Sequence, residues 1–172
     1  HTAAELACLT GRAPPPVCPT PVDTAQFHPQ PDATVVGDIV FSGRFGDPRK
    51  NLPLLLDAFA LLRSRGRTYR LTLCGGERDT ALEAALAARS IADAVRVPGY
   101  LDHDALARHL AEADVFALPS HQEGLCIAAL EAMACGLPIV STRCGGPEEF
   151  VIPGRNGELV ASTAVALADA LD

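Results

Sequence analysis

From residue 38 onward the chain alternates short, nearly continuous apolar runs with longer segments of helical periodicity, and few folds accept that alternation. The apolar runs are DIVFSG (38–43), YRLTLCGG (69–76), AVRVPGY (94–100), DVFALPS (114–120) and PIVST (138–142). Between the first two lies NLPLLLDAFALLRSRG (51–66), where Leu52, Leu55, Leu56, Phe59 and Leu62 recur as one helical face. Gly66 is placed to end that helix. Helices are likewise predicted over 78–91, over 102–113 from an N-cap at Asp102, and over 126–136 up to Gly136. A turn-rich stretch, CGGPEEFVIPGRNG, then leads to a short strand ELV and a last helix in TAVALADALD. Strands without polar alternation are buried on both faces. Strand–helix repetition gives right-handed crossovers and a parallel sheet. The expected fold is therefore α/β: a Rossmann-like, three-layer α/β/α domain over residues 38–172.

Residues 1–37 do not share the pattern. A helix-like piece, TAAELACLTG, runs into PPPVCPTPVDTAQFHPQPD, where proline is too dense for a regular helix or a central strand. This segment reads as an interdomain linker or hinge. Its start resembles the tail of a helix, which suggests a domain separated from a preceding one. A net charge of −7 argues against general attraction to nucleic acid or anionic lipid, so any phosphate must be held locally. No apolar run approaches the roughly 20 residues of a membrane span. HTAAELACLTGR lacks the pattern of a signal peptide, so a cytoplasmic protein is expected. The six cysteines (8, 18, 74, 126, 135 and 144) form no C-x-x-C pair, and several sit in apolar surroundings. They read as buried, reduced thiols rather than zinc or redox ligands.

In a parallel α/β sheet ligands bind at the carboxyl ends of the strands, so function depends on those loops. The first, GRFGDPRKN (43–51), fits neither a dinucleotide fingerprint nor a Walker loop. It does offer Arg44 after Gly43 and Lys50 just before a helix, two cations suited to a diphosphate or, equally, to a solvated surface. The loop after the fourth strand, PSHQEGLCIAALE (119–131), carries Glu123 and, eight residues on, Glu131. With a helix starting near Gly124, Glu131 lies about two turns in, and Glu123 sits ahead of the free N–H groups of the helix start. Such carboxylates accept sugar hydroxyls, while the helix terminus favours phosphate. A helix-start carboxylate and an exposed helical glutamate are the plainer reading. The apolar neighbours Ile127, Ala128, Leu130 and Ala134 weigh against it at Glu131.

These residues, together with ACGLPIVST and GGPEEFV, resemble the C-terminal domain of retaining GT-B glycosyltransferases, and most of all family 4 (glycosyl transferases group 1). The likeness runs from about Val22 to Val160. VDTAQFHP matches the family's lead-in segment except that Pro21 replaces a glycine. The resemblance implies a nucleotide-sugar donor, a UDP- or GDP-hexose, with no metal or other cofactor. Arg44 and Lys50 would bind its diphosphate and stabilise the leaving nucleotide. Glu131 would accept the ribose hydroxyls, and Glu123, with the backbone of Gly124, Leu125 and Cys126, would hold the hexose. Gly43, Gly75 and Gly76 would permit close approach, and Pro98, Gly99, Tyr100 and Leu101 would flank the base. An N-terminal acceptor-binding domain would lie outside these residues, with any peripheral membrane contact made through it. The fragment alone would then transfer no sugar.

Asp102-His103-Asp104 matches the D-x-D metal motif of GT-A enzymes, but opening an amphipathic helix it reads as an ordinary cap. His28, His103 and His109 read as surface residues, His121 as a solvated loop residue or, beside Glu123, a contact to the donor, and Glu148 and Glu149 as caps of a short helical turn. A GT-B-fold epimerase and a non-catalytic sugar-nucleotide-binding module are the alternatives. A phosphorylase is disfavoured because Lys50 is the chain's only lysine.

Overall fold

Each apolar run becomes a strand, and the strands assemble into one parallel sheet. In the computed structural model, which describes residues 2–14, 16, 20–30 and 37–172, helix α1 (Thr2–Thr10) precedes β1 (Asp38–Ser42). There follow α2 (Leu52–Ser64), β2 (Arg70–Cys74), α3 (Thr80–Ala87), β3 (Val95–Gly99), α4 (His103–Ala111), β4 (Val115–Leu118), α5 (Ile127–Ala134), β5 (Ile139–Thr142), β6 (Gly157–Val160) and α6 (Ala164–Leu171). Spatial order is β3-β2-β1-β4-β5-β6, and all five pairings are parallel, β1 on β2 from Asp38↔Arg70 to Ser42↔Cys74. The expected Rossmann-like α/β/α fold is what forms. The order reverses between β1 and β4, which opens a crevice between their carboxyl ends.

The two-residue period of the strands sorts the core into two layers. Ile39, Phe41, Leu71, Leu73, Ala117 and Val140 pack with α2, α3 and α6. Val40, Cys74, Phe116, Leu118 and Ile139 pack with α4 and α5 on the opposite face. Leu55, Leu56, Phe59 and Leu62 of α2 are at most 2% exposed, and burial of each such side chain contributes about 1.5–3 kcal/mol. Gly66 (φ +81°) ends α2 as expected, with the Arg67 N–H reaching back to the Leu62 carbonyl.

Helix α3 is shorter than the 78–91 that its periodicity suggests. Asp79 caps it, accepting from the Leu82 N–H at 2.8 Å. Past Ala87 the chain turns through Ser90 (φ +54°), and Ile91 returns its N–H to Leu86 and is fully buried in the first layer. Burying Ile91 there outweighs another helical turn. The later helix begins at Ile127, not near Gly124.

Among the described residues of the N-terminal segment there is no strand. Phe27 is nonetheless 2% exposed and joins the α4–α5 layer, while Gln26 donates to the Asp104 carboxylate at 2.7 Å. Cys74, Cys126, Cys135 and Cys144 are buried free thiols. Burial pushes Cys74 up to about 12 and Cys126 and Cys135 to about 11. Cys8, by contrast, is exposed, and no described residue of α1 joins either core layer; Cys18 lies outside the described residues. His109 is half-buried rather than a surface residue. Burial, then Arg96, lowers its pKa below the ordinary 6.5. No described helix is long and apolar enough to cross a membrane.

Candidate functional site

The loops after β1 and β4 meet across the crevice and are fastened there by three contacts. Asp47 caps a 3-10 turn over Pro48–Lys50. Asn51 then takes a left-handed conformation (φ +49°) that ends the turn and starts α2. This reversal aims the Asn51 side chain at the Pro119 carbonyl (3.2 Å) and the Arg49 carbonyl at the His121 N–H (2.7 Å). It also sends Lys50 Nζ to Glu123 Oε1 at 2.8 Å. That ion pair is largely enclosed, with side chains 18% and 11% exposed. The Ser120 hydroxyl, 1% exposed, donates to the same carboxylate oxygen at 2.6 Å.

The loop after β5 supports Glu123 from behind. The Glu123 N–H donates to the Cys144 carbonyl (2.7 Å), and its carbonyl accepts from the Gly146 N–H (3.2 Å). A Cβ on Gly146 would stand 1.5 Å from the Gly124 carbonyl oxygen, so only glycine lets the two backbones run this close. The Thr142 hydroxyl, fully buried, donates to the Ser120 carbonyl. Glu148 caps its own turn, accepting from the Gly145 N–H at 2.7 Å, as expected for it.

Arg44 is disposed differently. Its side chain is 79% exposed and its guanidinium lies 3.5 Å from Asp47 Oδ2, so Arg44 and Lys50 do not form one cationic cluster. Asp47 also accepts from the Arg49 backbone and guanidinium. These bonds, those from Arg49 foremost, lower its pKa to about 2. Arg44, Asp47, Gly75, Gly76, Glu77 and Tyr100 border a cleft of about 650 Å3 beside the crevice. Gly75 (φ +101°) is required here, since a Cβ would lie 2.8 Å from the Gly43 carbonyl oxygen. Gly76 faces the Phe45 ring, and a Cβ on Gly43 would crowd the Lys50 chain at 3.3 Å. Gly99 (φ +88°) ends β3 and accepts from the Gly75 N–H. Tyr100 beyond it is 74% exposed, and Leu101 packs on the second layer.

Glu131 is the fifth residue of α5, little more than one turn in rather than two, because Cys126 (φ +56°) delays the helix start. Gly124 is exposed and Leu125 half-buried in the intervening loop. The Glu131 carboxylate is half-buried with no hydrogen bond to another described residue. Burial raises its pKa, opposed by His103 on α4. The starts of α3, α4 and α6 are capped by side chains from Asp79, Asp102 and Thr163. The start of α5, like that of α2, has no side-chain cap; the Ala129 and Leu130 N–H groups turn back to the Cys126 carbonyl, and the first N–H groups of the helix have no side-chain partner. Among the described residues no group of His, Cys, Asp and Glu is arranged to hold a metal ion, and Asp102 caps α4 at the Ala105 N–H (2.8 Å).

Sequence reasoning missed Ser120, Asp47, Thr142 and Gly146. A serine three residues before Glu123 was the available signal for the first.

The chain is 35% identical over 165 residues to a GDP-mannose-dependent alpha-(1-6)-phosphatidylinositol monomannoside mannosyltransferase of Mycolicibacterium smegmatis. That match covers 86% of this chain and 43% of the enzyme. Sucrose-phosphate synthase from Thermosynechococcus elongatus superposes with a TM-score of 0.84 at 29% identity, over 99% of this chain and 46% of that one. The C-terminal domain of a glycosyl transferase group 1 family protein from Francisella tularensis shares the fold. Its TM-score is 0.75 at 24% identity, over 88% of this chain and 86% of that domain. The chain spans less than half the length of the curated relatives it matches, such as 29% of an Erwinia amylovora glycosyltransferase. With a family match described as glycosyl transferases group 1 over residues 37–172, and the parallel sheet of GT-B enzymes beneath it, this chain belongs to that glycosyltransferase family.

Proposed function

We infer that this chain is the donor-binding, C-terminal half of a retaining family 4 GT-B glycosyltransferase that transfers a hexose from a UDP- or GDP-sugar. Residues 38–172 form the nucleotide-sugar domain and 1–37 the interdomain segment. An N-terminal GT-B domain of the same protein supplies the acceptor site. The observation that carries this reading is the enclosed Lys50–Glu123 pair at the β1/β4 crevice, in a member of this family.

The diphosphate would lie between Lys50, Arg44 and the uncapped start of α5, where open N–H groups and the helix dipole favour an anion. Arg44, exposed and weakly held by Asp47, is free to swing onto the phosphate. Glu123 and the 124–126 backbone would take the hexose. The half-buried Glu131 carboxylate would take the ribose hydroxyls, which supply the hydrogen bonds it otherwise lacks. The base would lie along Gly99, Tyr100 and Leu101, across the cleft from Gly75 and Gly76.

In transfer with retention, the acceptor oxygen attacks the anomeric carbon on the face from which the diphosphate departs. The bond to the leaving phosphate oxygen breaks, and that phosphate takes the acceptor proton. Arg44 and Lys50 stabilise the charge growing on the diphosphate. No metal is needed in this scheme, and a cytoplasmic donor supply suits it. Arg44→Ala or Lys50→Ala in the full-length protein should cut turnover about 100–1,000-fold, as expected on losing one electrostatic stabiliser of a transition state. Near-normal turnover in both variants would refute the assignment.

A further inference from the structure

Every cation that the donor reading assigns to the diphosphate is already partnered by a carboxylate. Arg44 faces Asp47, and Lys50 is held by Glu123 at 2.8 Å inside an enclosure that also buries Ser120. The Glu123 backbone does not follow Lys50 when the ammonium turns to a phosphate. It is fixed at both ends, N–H to the Cys144 carbonyl and carbonyl to the Gly146 N–H. The absence of a Cβ on Gly146 lets the loop after β5 press against the neighbouring Gly124 carbonyl. Once Lys50 is engaged, Glu123 keeps the Ser120 hydroxyl and the more distant Arg49 charge but loses its ion-pair partner, and its negative charge faces the diphosphate's surroundings.

We propose that Glu123 is a selectivity residue that makes the site prefer the sugar-bearing donor over the bare nucleoside diphosphate, and so helps expel the product after transfer. The inference rests on the donor-site reading above. A nucleotide-hexose brings hydroxyl donors that satisfy Glu123 as Lys50 leaves it, through charge-assisted hydrogen bonds. A nucleoside diphosphate brings one more negative charge and no hexose hydroxyls, so Glu123 is left without its ion-pair partner and repels it. Before transfer the carboxylate is a contact; after the hexose has gone it opposes the product.

The test is calorimetric titration of the 172-residue chain and its Glu123→Gln variant with UDP, UDP-glucose, GDP and GDP-mannose. In whichever base series binds, Glu123→Gln should tighten the bare diphosphate about tenfold, the scale of one nearby opposing charge in a partly exposed site. Affinity for the sugar conjugate should not rise with it, so the preference for the conjugate shrinks by that factor or more. Glu123→Asp retains the charge but shortens its reach. It should weaken the conjugate and leave the bare diphosphate near wild type, and it serves alone if the Gln variant does not fold. Equal changes for both ligands in Glu123→Gln, or a bare diphosphate that binds Glu123→Asp more tightly, would overturn the inference while leaving the donor site intact. If the wild-type chain binds none of the four, the donor-site reading fails and the inference with it.

Discussion

Replacing Lys50 with methionine removes the ammonium from an enclosed carboxylate while keeping most of the side chain's length. The two charges lie 2.8 Å apart, which at an effective dielectric of 20 is worth about 6 kcal/mol before desolvation is subtracted. Desolvation takes back several kcal/mol per ion, and breaking a fully buried pair from one side costs about 3–5 kcal/mol. Here the side chains retain 18% and 11% exposure. Ser120 still donates to Glu123, and the Arg49 guanidinium feels the same carboxylate. Lys50→Met should therefore cost about 2–4 kcal/mol, and Glu123→Gln about 1–2 kcal/mol, since the amide oxygen can keep the Ser120 bond. The double variant should cost less than the sum of the two by at least about 1 kcal/mol, because neither charge is then orphaned. Urea unfolding of all four proteins measures the cycle. Additivity within about 0.5 kcal/mol, or a Lys50→Met cost below that figure, would refute the enclosed pair.

Gly146→Ala should destabilise by about 2–4 kcal/mol and abolish donor binding. It forces the Gly124 backbone away and breaks the bonds that hold Glu123; unfolding and titration with an unchanged result would contradict the close approach. Phe59→Ala, at a fully buried site in the α2 layer, should cost about 3–5 kcal/mol in the same unfolding assay. His109 binds its proton less tightly folded than unfolded, because burial and Arg96 lower its pKa below 6.5. The unfolded chain then holds more protons, so this group's effect is lost stability as pH falls through 6.5. His109→Gln should flatten the melting temperature between pH 7 and pH 5, and a steeper dependence would count against the burial.

The layers of the fold were legible because strand runs and helical faces differ in period. Leu52, Leu55, Leu56, Phe59 and Leu62 could face only one core. The residue types of the candidate site were legible as positions, since Arg44, Lys50, Glu123 and Glu131 fall in loops or helix starts at the sheet's carboxyl end. How the charges share partners was not. A lysine in a loop reads as a free cation, and its capture by a carboxylate 73 residues away depends on the left-handed turn at Asn51. Likewise the sign of φ at Cys126 decides where α5 starts and how deep Glu131 lies. Neither asparagine nor cysteine announces that conformation as glycine does. Gly145-Gly146 reads as a turn, and only the folded chain brings Gly146 against Gly124.

The central claim, that the β1/β4 crevice binds a nucleotide-sugar, is tested most directly by a thermal-shift titration of the chain. The ligands are UDP, GDP, ADP and their hexose conjugates, without metal. At about 100 times its dissociation constant the right donor should add roughly 2.7 kcal/mol of stability, and Lys50→Ala or Glu131→Ala should erase the gain. A shift that survives both substitutions, or none with any conjugate at millimolar concentration, would contradict the account.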